Sequence, residues 1–545
     1  MGIIIGLLII AAFTAFQILA EKNYRKNMMR KLERNFGVQR ENDGDLADRM
    51  EMIKILFDEE KKCIPENRHV DDITWNDLNM DDIFSRIDHT DSFAGEQYLY
   101  SRLHFITGNE KHFEKLESRA EIFDSDAQLR NEVRFSLSAL GKNSSSYYIP
   151  QMIKTLEEKK MKFSWIPYLF LLLLLASAVA AVIMHDPLAL FIFISVYIIN
   201  IFVNTVLKMK YELNLHALFT MANVIGAAEK ISENMNEKDS TVYKTAKKMS
   251  RISKIASYIE LKNNICRNDA LSAVFDYLAG AFMWEHICYD RLYREMIKYR
   301  DEYMDLYDYV GETDCSISIL SYRKSIGRYC IPVISKEKEF ELRQCFHPCI
   351  KNAVANDFRY TSHIILTGSN ASGKSTFIKT VALNLILGQT IHTCTAEYAV
   401  IPECSVMTSM AVRDDVLSGE SYYIREIKYL KRMTESVDGK RLMFLAVDEI
   451  LKGTNTRERL AASKAVLKYF SERNCILIVA THDTELAEAF KESYENYHFT
   501  ETITDGDISF DYKLHKGISR TTNAVRLLEM IKFPDEIIKN AADEK

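Results

Sequence analysis

The run Gly368-Ser369-Asn370-Ala371-Ser372-Gly373-Lys374-Ser375 has the spacing of a phosphate-binding loop. Glycines there let backbone N–H groups wrap phosphate oxygens, and the start of a following helix adds positive potential. Lys374 then reaches the β- and γ-phosphates of a nucleotide, and Ser375 supplies an oxygen ligand for Mg2+. Farther along, an apolar run from Leu442 to Val447 ends in Asp448-Glu449. Adjacent carboxylates at a strand end divide the work: Asp448 holds Mg2+ and Glu449 polarises the attacking water. Such a pair points to ATP hydrolysis rather than to nucleotide binding alone. A third apolar run, Cys475 to Ala480, ends in Thr481-His482-Asp483. At a strand end beside the loop, His482 is placed to sense the γ-phosphate or orient water; the plain alternative is a structural histidine.

These groups need a scaffold that gathers strand ends. The strand His363 to Leu366 precedes the loop, and an amphipathic helix from about Lys374 to Leu387 follows it. From about Arg328, short apolar runs alternate with helical stretches, which implies a mainly parallel sheet wound with helices. Before that point residues 44–62, 74–160 and 211–310 carry apolar positions three and four apart, Ile83 and Ile87 among them, and read as helix. Turn signals within 74–160 are confined to Gly108-Asn109 and Gly141-Lys142-Asn143. Only 19 Gly and 8 Pro in 545 residues argue against a sandwich or propeller and for long helices with few connections.

Three uncharged apolar runs, Ile3 to Ala20, Trp165 to Met184 and Leu188 to Leu207, approach the ~20 residues a helix needs to cross a bilayer. The last two, parted by His185-Asp186-Pro187, read as a membrane hairpin. A signal peptide is the competing reading of the first; no basic residue precedes Ile3, and Ile18-Leu19-Ala20 is a poor cleavage site. Asn200 and Asn204, one turn apart, read as hydrogen-bonding residues between helices. Lys22, Arg25, Lys26, Arg30 and Lys31, then Lys159, Lys160 and Lys162, then Lys208 and Lys210, place residues 21–164 and 208–545 in the cytoplasm. The expected location is therefore the cytoplasmic membrane, crossed several times. Ten scattered cysteines without a CxxC pair fit a reducing compartment. Cys345-Phe346-His347-Pro348-Cys349 lacks a second ligand pair at zinc spacing. A net charge of -6 excludes a globally basic nucleic-acid binder. Lys244, Lys247, Lys248, Arg251 and Lys254 do fall at helical spacing, either as a contact for phosphates or headgroups or as a solvated face.

Residues 328–545 resemble the ATPase domain of the MutS mismatch-repair family, a branch of the ABC-type ATPases. Four blocks in order carry the resemblance: Thr367 to Thr376, Asp415-Val416-Leu417-Ser418-Gly419-Glu420-Ser421, Asp448-Glu449-Ile450-Leu451-Lys452-Gly453-Thr454-Asn455-Thr456, and Ala480-Thr481-His482. The resemblance implies ATP bound by Gly368, Asn370, Gly373, Lys374, Ser375 and Thr376, with Mg2+ on Ser375 and Asp448. Glu449 and His482 would be catalytic. It also implies a homodimer in which Ser421 acts in trans on the partner's γ-phosphate and Asn455 lies in the loop coupling the two sites. Tyr512-Lys513-Leu514-His515-Lys516-Gly517 through Phe533-Pro534-Asp535 resembles the family's C-terminal dimerising helices. More weakly, the stretch from Asp88 through Gly95 to Leu99 is similar to the start of the family's helical core, with 211–310 as its lever.

The expected organisation is a multidomain α and α/β chain. A transmembrane anchor (1–20) leads into a cytoplasmic helical linker (21–73) and the first part of a MutS-like all-α core (74–162). A transmembrane hairpin (163–210) and a helical lever (211–327) follow, then a P-loop ABC-type ATPase domain with dimerisation helices (328–545). Two departures from the family bear on function. The mixed α/β domain that wedges a Phe-x-Glu motif into mismatched DNA is missing ahead of the core, and Phe57-Asp58-Glu59, in a helical segment, matches that motif by coincidence. The aromatic that stacks on adenine aligns with Ala353, leaving Phe358 or Tyr360 as substitutes. Two functions follow: a membrane-anchored MutS-type ATPase that binds DNA, mismatched DNA included, or an ABC-like mechanical or signalling ATPase acting on the membrane without DNA.

Overall fold

A computed structural model describes the chain except residues 1, 40–45, 107, 109, 257–279, 370–371, 411–421, 438, 440, 452–454, 505–506, 520–532 and 544–545. Its first helix, α1 (Gly2–Asn35), carries the opening apolar run straight into the basic stretch behind it. The expected division at residue 20 therefore falls inside one helix: polarity changes there, but no proline or glycine interrupts the backbone. Leu32 is buried, and just past the helix Phe36 takes the Arg130 guanidinium 3.9 Å from its ring centroid.

The helical core continues with α2 (Leu46–Lys61), α3 (Asp72–Asp77), α4 (Met80–Ile87), α5 (Phe93–His104), α6 (Glu110–Ser125), α7 (Ala127–Ser138) and α8 (Ile149–Lys154). Asp71, Ser92 and Asp126 start α3, α5 and α7 by accepting a backbone N–H from inside the first turn. Phe57 is buried on α2 and stacked on His104 with centroids 4.0 Å apart, so the Phe-x-Glu pattern belongs to the core.

Next come α9 (Ile166–Met184) and α10 (Pro187–Asn234), an antiparallel pair. Asp186 caps α10 and Pro187 fills its first turn, where a missing N–H does no harm. Ile166–Met184 and Pro187–Tyr211 are, among the described residues, long and apolar enough to cross a membrane, and few of their side chains are buried. Asn200 Nδ2 donates to Phe170 O of α9 at 3.0 Å, the interhelical bond expected of it. The apolar stretch ends at Tyr211, but the helix does not: α10 runs unbroken for 48 residues, from the expected hairpin into the expected lever.

Among the described residues, α11 (Thr241–Lys248), α12 (Trp284–Lys298) and α13 (Arg300–Ile326) follow in this part. α13 lies against α5, and two glycines allow it. A Cβ on Gly311 would stand 2.8 Å from Tyr98 Cβ, and one on Gly95 would overlap the Asp314 carboxylate. Asp314 is fully buried there and accepts from Ser92 N at 2.8 Å and Asp91 N at 3.0 Å. The spacing from Asp88 to Gly95 thus has a local cause: Ser92 caps α5, and Gly95 leaves room for the acid that ties α5 to α13.

The rest of the chain is α/β. Its strands are β1 (Val333–Ser335), β2 (Glu341–Cys345), β3 (Asn356–Arg359), β4 (His363–Thr367), β5 (Tyr398–Pro402), β6 (Ser405–Ser409), β7 (Met443–Asp448), β8 (Cys475–Ala480), β9 (Tyr494–His498), β10 (Glu501–Thr504), β11 (Asp507–Phe510) and β12 (His515–Lys516). A mixed sheet has the order β1-β5-β2-β3, and a larger one the order β12-β9-β4-β8-β7-β6, in which only β12 is antiparallel to its neighbour. β10 and β11 pair as a hairpin. α14 (Lys374–Ile391) is almost wholly buried and touches both sheets. α15 (Tyr422–Ser436), α16 (Thr456–Ser471), α17 (Thr484–Ala489) and α18 (Asp535–Asp543) follow. Residues 512–517, expected to open the dimerising helices, are not helical: Tyr512 and Gly517 take positive φ, and between them β12 pairs onto His498 and Tyr497. Residues 520–532 of that expectation lie outside the described residues.

Candidate functional site

Parallel register brings the three sequence-marked strand ends together. Leu366 pairs with Ala480, and Ala480 with Asp448, so the loop after β4, Thr481-His482 and Asp448-Glu449 leave the sheet at one edge. Thr481 N donates to Leu366 O and Glu449 N to Ala480 O, both at 2.9 Å.

The loop turns on Gly368 and Gly373, at φ +141° and +106°, where a side chain is strained. A Cβ on Gly368 would also stand 2.9 Å from Phe499 O. Lys374 folds back over the loop, donating to Gly368 O and Ser369 O at 2.7 Å each. Ser375 Oγ donates to the Asp448 carboxylate, joining loop and strand end. A hydroxyl and a carboxylate in contact are the hard oxygen donors that Mg2+ takes, so these residues fit the ion. Thr376, on the first turn of α14, borders the same space. Asn370 lies outside the described residues.

Glu449 is held at φ +66° and Leu451 at +56°, a left-handed backbone that non-glycine residues adopt at a cost of about 1–3 kcal/mol. The kink after β7 presents Glu449 Oε1 to His482 Nδ1 at 2.8 Å. Beside them Arg459 of α16 clasps Asp483 with bonds of 2.9 and 3.1 Å, fixing the turn that carries His482. Asn455 caps α16, its side chain accepting from Glu458 N at 3.0 Å. Ser421, with the whole Asp415-to-Ser421 block, lies outside the described residues, as do Lys452, Gly453 and Thr454.

In front of this edge lies a cavity of about 840 Å³. Lys374, Asp448 and Glu449 border one part of it, and His347, Val354 and Tyr512 another. Burial pushes His347 down to about 4, so its ring is neutral near pH 7. Neither expected adenine platform reaches the cavity. Phe358 is buried between Phe340 and Phe377, and Tyr360 packs beside His363. Phe377, Phe499 and Tyr512 do line it; the two phenylalanines are buried and Tyr512 is exposed, its ring so near the loop that a Cβ on Gly373 would be 3.2 Å from its Cδ1. Asn356 secures that stretch from across the cavity mouth, donating to Tyr512 O at 2.9 Å and accepting from Leu514 N at 2.8 Å.

The cavity is tied to the helical core through α3. Asp77 Oδ2 accepts from Thr408 Oγ1 at 2.7 Å and from Met410 N at 2.9 Å, and Met410 lines the cavity. Chemically, the assembly offers a cationic loop for a polyphosphate, oxygen ligands for a divalent ion, a carboxylate–imidazole pair for water, and an exposed aromatic for a flat ring.

Residues 364–545 match the family model of MutS domain V. A DNA mismatch repair protein MutS from Natronomonas pharaonis is 33% identical over 181 residues, 32% of this chain and 21% of the relative. Proteins of the same name from Thermotoga maritima and Listeria monocytogenes are 26% and 27% identical over 257 and 263 residues. Those alignments cover 45% and 46% of this chain and 32% and 30% of the relatives, so the chain spans about a third or less of their length. With a glycine loop and paired strand-end acids at the sheet edge this match covers, residues 364–545 belong to the MutS family as its domain V.

Proposed function

We propose that the chain is a membrane-anchored ATPase whose nucleotide-driven pairing as a homodimer moves helical levers. The observation that carries this reading is the convergence of Lys374, Ser375, Asp448 and Glu449 on one cavity at one sheet edge, with His482 bonded to Glu449 beside it. ATP would lie with its triphosphate along the start of α14, where Lys374 exchanges two carbonyls for phosphate oxygens. Mg2+, held by Ser375 and Asp448, would neutralise phosphate charge when bound. Glu449, steadied by His482, orients water for in-line attack on the γ-phosphate, and Tyr512 offers its face to the base. Ser421 and Asn455 keep the roles in site-to-site coupling that the family resemblance implies.

Membrane placement is part of the proposal. It is supported by the exposed apolar surfaces of Ile166–Met184 and Pro187–Tyr211 and by the basic residues at their ends. The relatives' name supports DNA, including mismatched DNA, as what the levers grip. One observation favours the second reading, action on the membrane without DNA. On the basic face of α11, Lys247 Nζ already pairs with Glu229 at 3.1 Å, and Lys244 Nζ donates to Asp239 O at 2.8 Å.

The purified full chain should release phosphate from ATP, and Lys374→Ala should weaken nucleotide binding by about tenfold or more, as loss of a charge-assisted contact requires. Unchanged binding would remove the loop from its role. Homoduplex and mismatched DNA, titrated at low and moderate salt, separate the two readings. Salt-sensitive binding that alters turnover supports the first; no binding at low salt with unaltered turnover leaves the second.

A further inference from the structure

The turn that leads into α12 docks on the apolar half of α10. Gly280 and Ala281 are helical, Phe282 and Met283 turn, with Met283 N donating to Gly280 O at 3.0 Å, and α12 starts at Trp284. Asn200, wholly buried on α10, donates to Ala281 O at 2.8 Å as well as to Phe170 O. One turn along, Asn204 crowds Gly280 so closely that a Cβ there would be 2.8 Å from its Nδ2, and His286 Nε2 sits 3.3 Å from Asn204 O.

Position along α10 gives the depth of this contact. Asn200 is about 12 Å of helix inward from Lys208, the first charge on that side, while a bilayer's hydrocarbon core is about 30 Å thick. A peptide carbonyl at such depth has no water to bond, and irregular backbone is tolerated there only when protein satisfies it. The Asn200 amide does this for Ala281 O.

Side-chain polarity follows the same gradient. Ala281 and Met283 are buried against the helices, whereas Phe282 and Trp284 are each 42% exposed. Charge returns at the next residue, where Glu285 pairs with Lys208 at 3.7 Å. Tyr168, near the start of α9, donates to Asp290 Oδ2 at 2.9 Å. On the same side of the hairpin, Phe163 and Trp165 are exposed, the aromatic fringe found at membrane–water boundaries.

We infer that residues 280–284 form a re-entrant turn that enters the bilayer beside the α9–α10 hairpin, with Phe282 and Trp284 facing lipid. α12 then begins in the membrane and leads out to α13 in the helical core. This inference rests on the membrane placement proposed above.

The chain's three tryptophans supply a test that separates the two. Trp75 is buried in the helical core, so Trp165→Phe leaves Trp284 as the responsive fluorophore and Trp284→Phe leaves Trp165. The full chain is reconstituted in phosphatidylcholine–phosphatidylglycerol vesicles with or without brominated acyl chains, and aqueous iodide is the opposing quencher. Both reporters should lose about half their emission to brominated lipid and little to iodide, as residues at a lipid boundary do. If Trp165 is quenched by lipid but Trp284 only by iodide, the re-entrant turn is overturned and the hairpin stands. If neither responds to brominated lipid, the membrane placement fails and the turn with it. If Trp284 responds to neither quencher while Trp165 responds to lipid, protein such as a second copy covers it, and the inference fails. Asn200→Leu should shift Trp284 toward iodide quenching while Trp165 keeps its lipid response; no shift would overturn the role of Asn200 in docking the turn.

Discussion

Glu449 Oε1 and His482 Nδ1 stand 2.8 Å apart at the ends of neighbouring parallel strands, although 33 residues separate them in the chain. Sheet register holds the pair, and Glu449 is fixed further by its backbone bond to Ala480 O. An ionised carboxylate can only accept, so in this pair Nδ1–H is the donor.

Glu449→Gln keeps the shape and removes the charge that polarises water. Its kcat for ATP should fall about 10²–10⁴-fold, the range for loss of a general base, with nucleotide affinity retained. His482→Ala should lose less, and the double variant no more than Glu449→Gln alone, because the two act as a unit. Phosphate release at saturating ATP, with nucleotide binding measured alongside, is the check; wild-type turnover in Glu449→Gln would exclude it from the reaction.

Tyr512→Ala should weaken ATP binding about tenfold, since an aromatic stacked on a base contributes ~1–3 kcal/mol. Tyr512→Phe should bind as wild type does, and kcat should not move in either. Inorganic triphosphate is the control: equal loss for it and for ATP would mean that Tyr512 shapes the loop and does not touch the base.

Gly95→Ala should destabilise the protein by about 1–3 kcal/mol, the usual result of forcing a methyl into a packed interface. Asp314 cannot move aside without dropping the Asp91 and Ser92 backbone bonds. Denaturant titration checks this, and a variant as stable as wild type would show that α5 and α13 can part freely.

Asp314→Asn probes pH. Burial, with the Asp91 charge beside it, pushes the Asp314 carboxyl from 3.8 up to about 7. Because the folded value is the higher one, the group's stabilising contribution is complete below about pH 4 and is lost as pH rises through about 7. The variant lacks this loss, so its stability relative to wild type should improve as pH rises across that window. Melting curves at several pH values decide it; a constant difference would mean that Asp314 does not titrate there.

Much of the site was legible because its signals are local. A glycine loop between an apolar strand and a helix, and acids closing an apolar run, are patterns of a few adjacent residues, and β4, β7 and β8 formed within a residue of those runs. Tyr512 was not legible. It reaches the cavity through a bond to Asn356, 156 residues away, and nothing near it in sequence marks that contact. The left-handed backbone at Glu449 is equally silent, since sheet and turn geometry impose it on a residue that does not prefer it. Hydropathy changes near residues 20 and 210 marked where the apolar runs end, but not that one helix continues through each, because a helix ends on backbone and capping signals and none occurs at either place.

The continuity of α10 has a mechanical meaning. About 39 Å of it extends beyond Lys208, so on the membrane reading a tilt of about 10° in the bilayer would swing Asn234 by roughly 7 Å. Helices answer a mismatch between their apolar length and the surrounding lipid by tilting. Acyl-chain length would then act on this protein as a ligand does, biasing through one stiff rod how readily the ATP-binding end reaches its closed form.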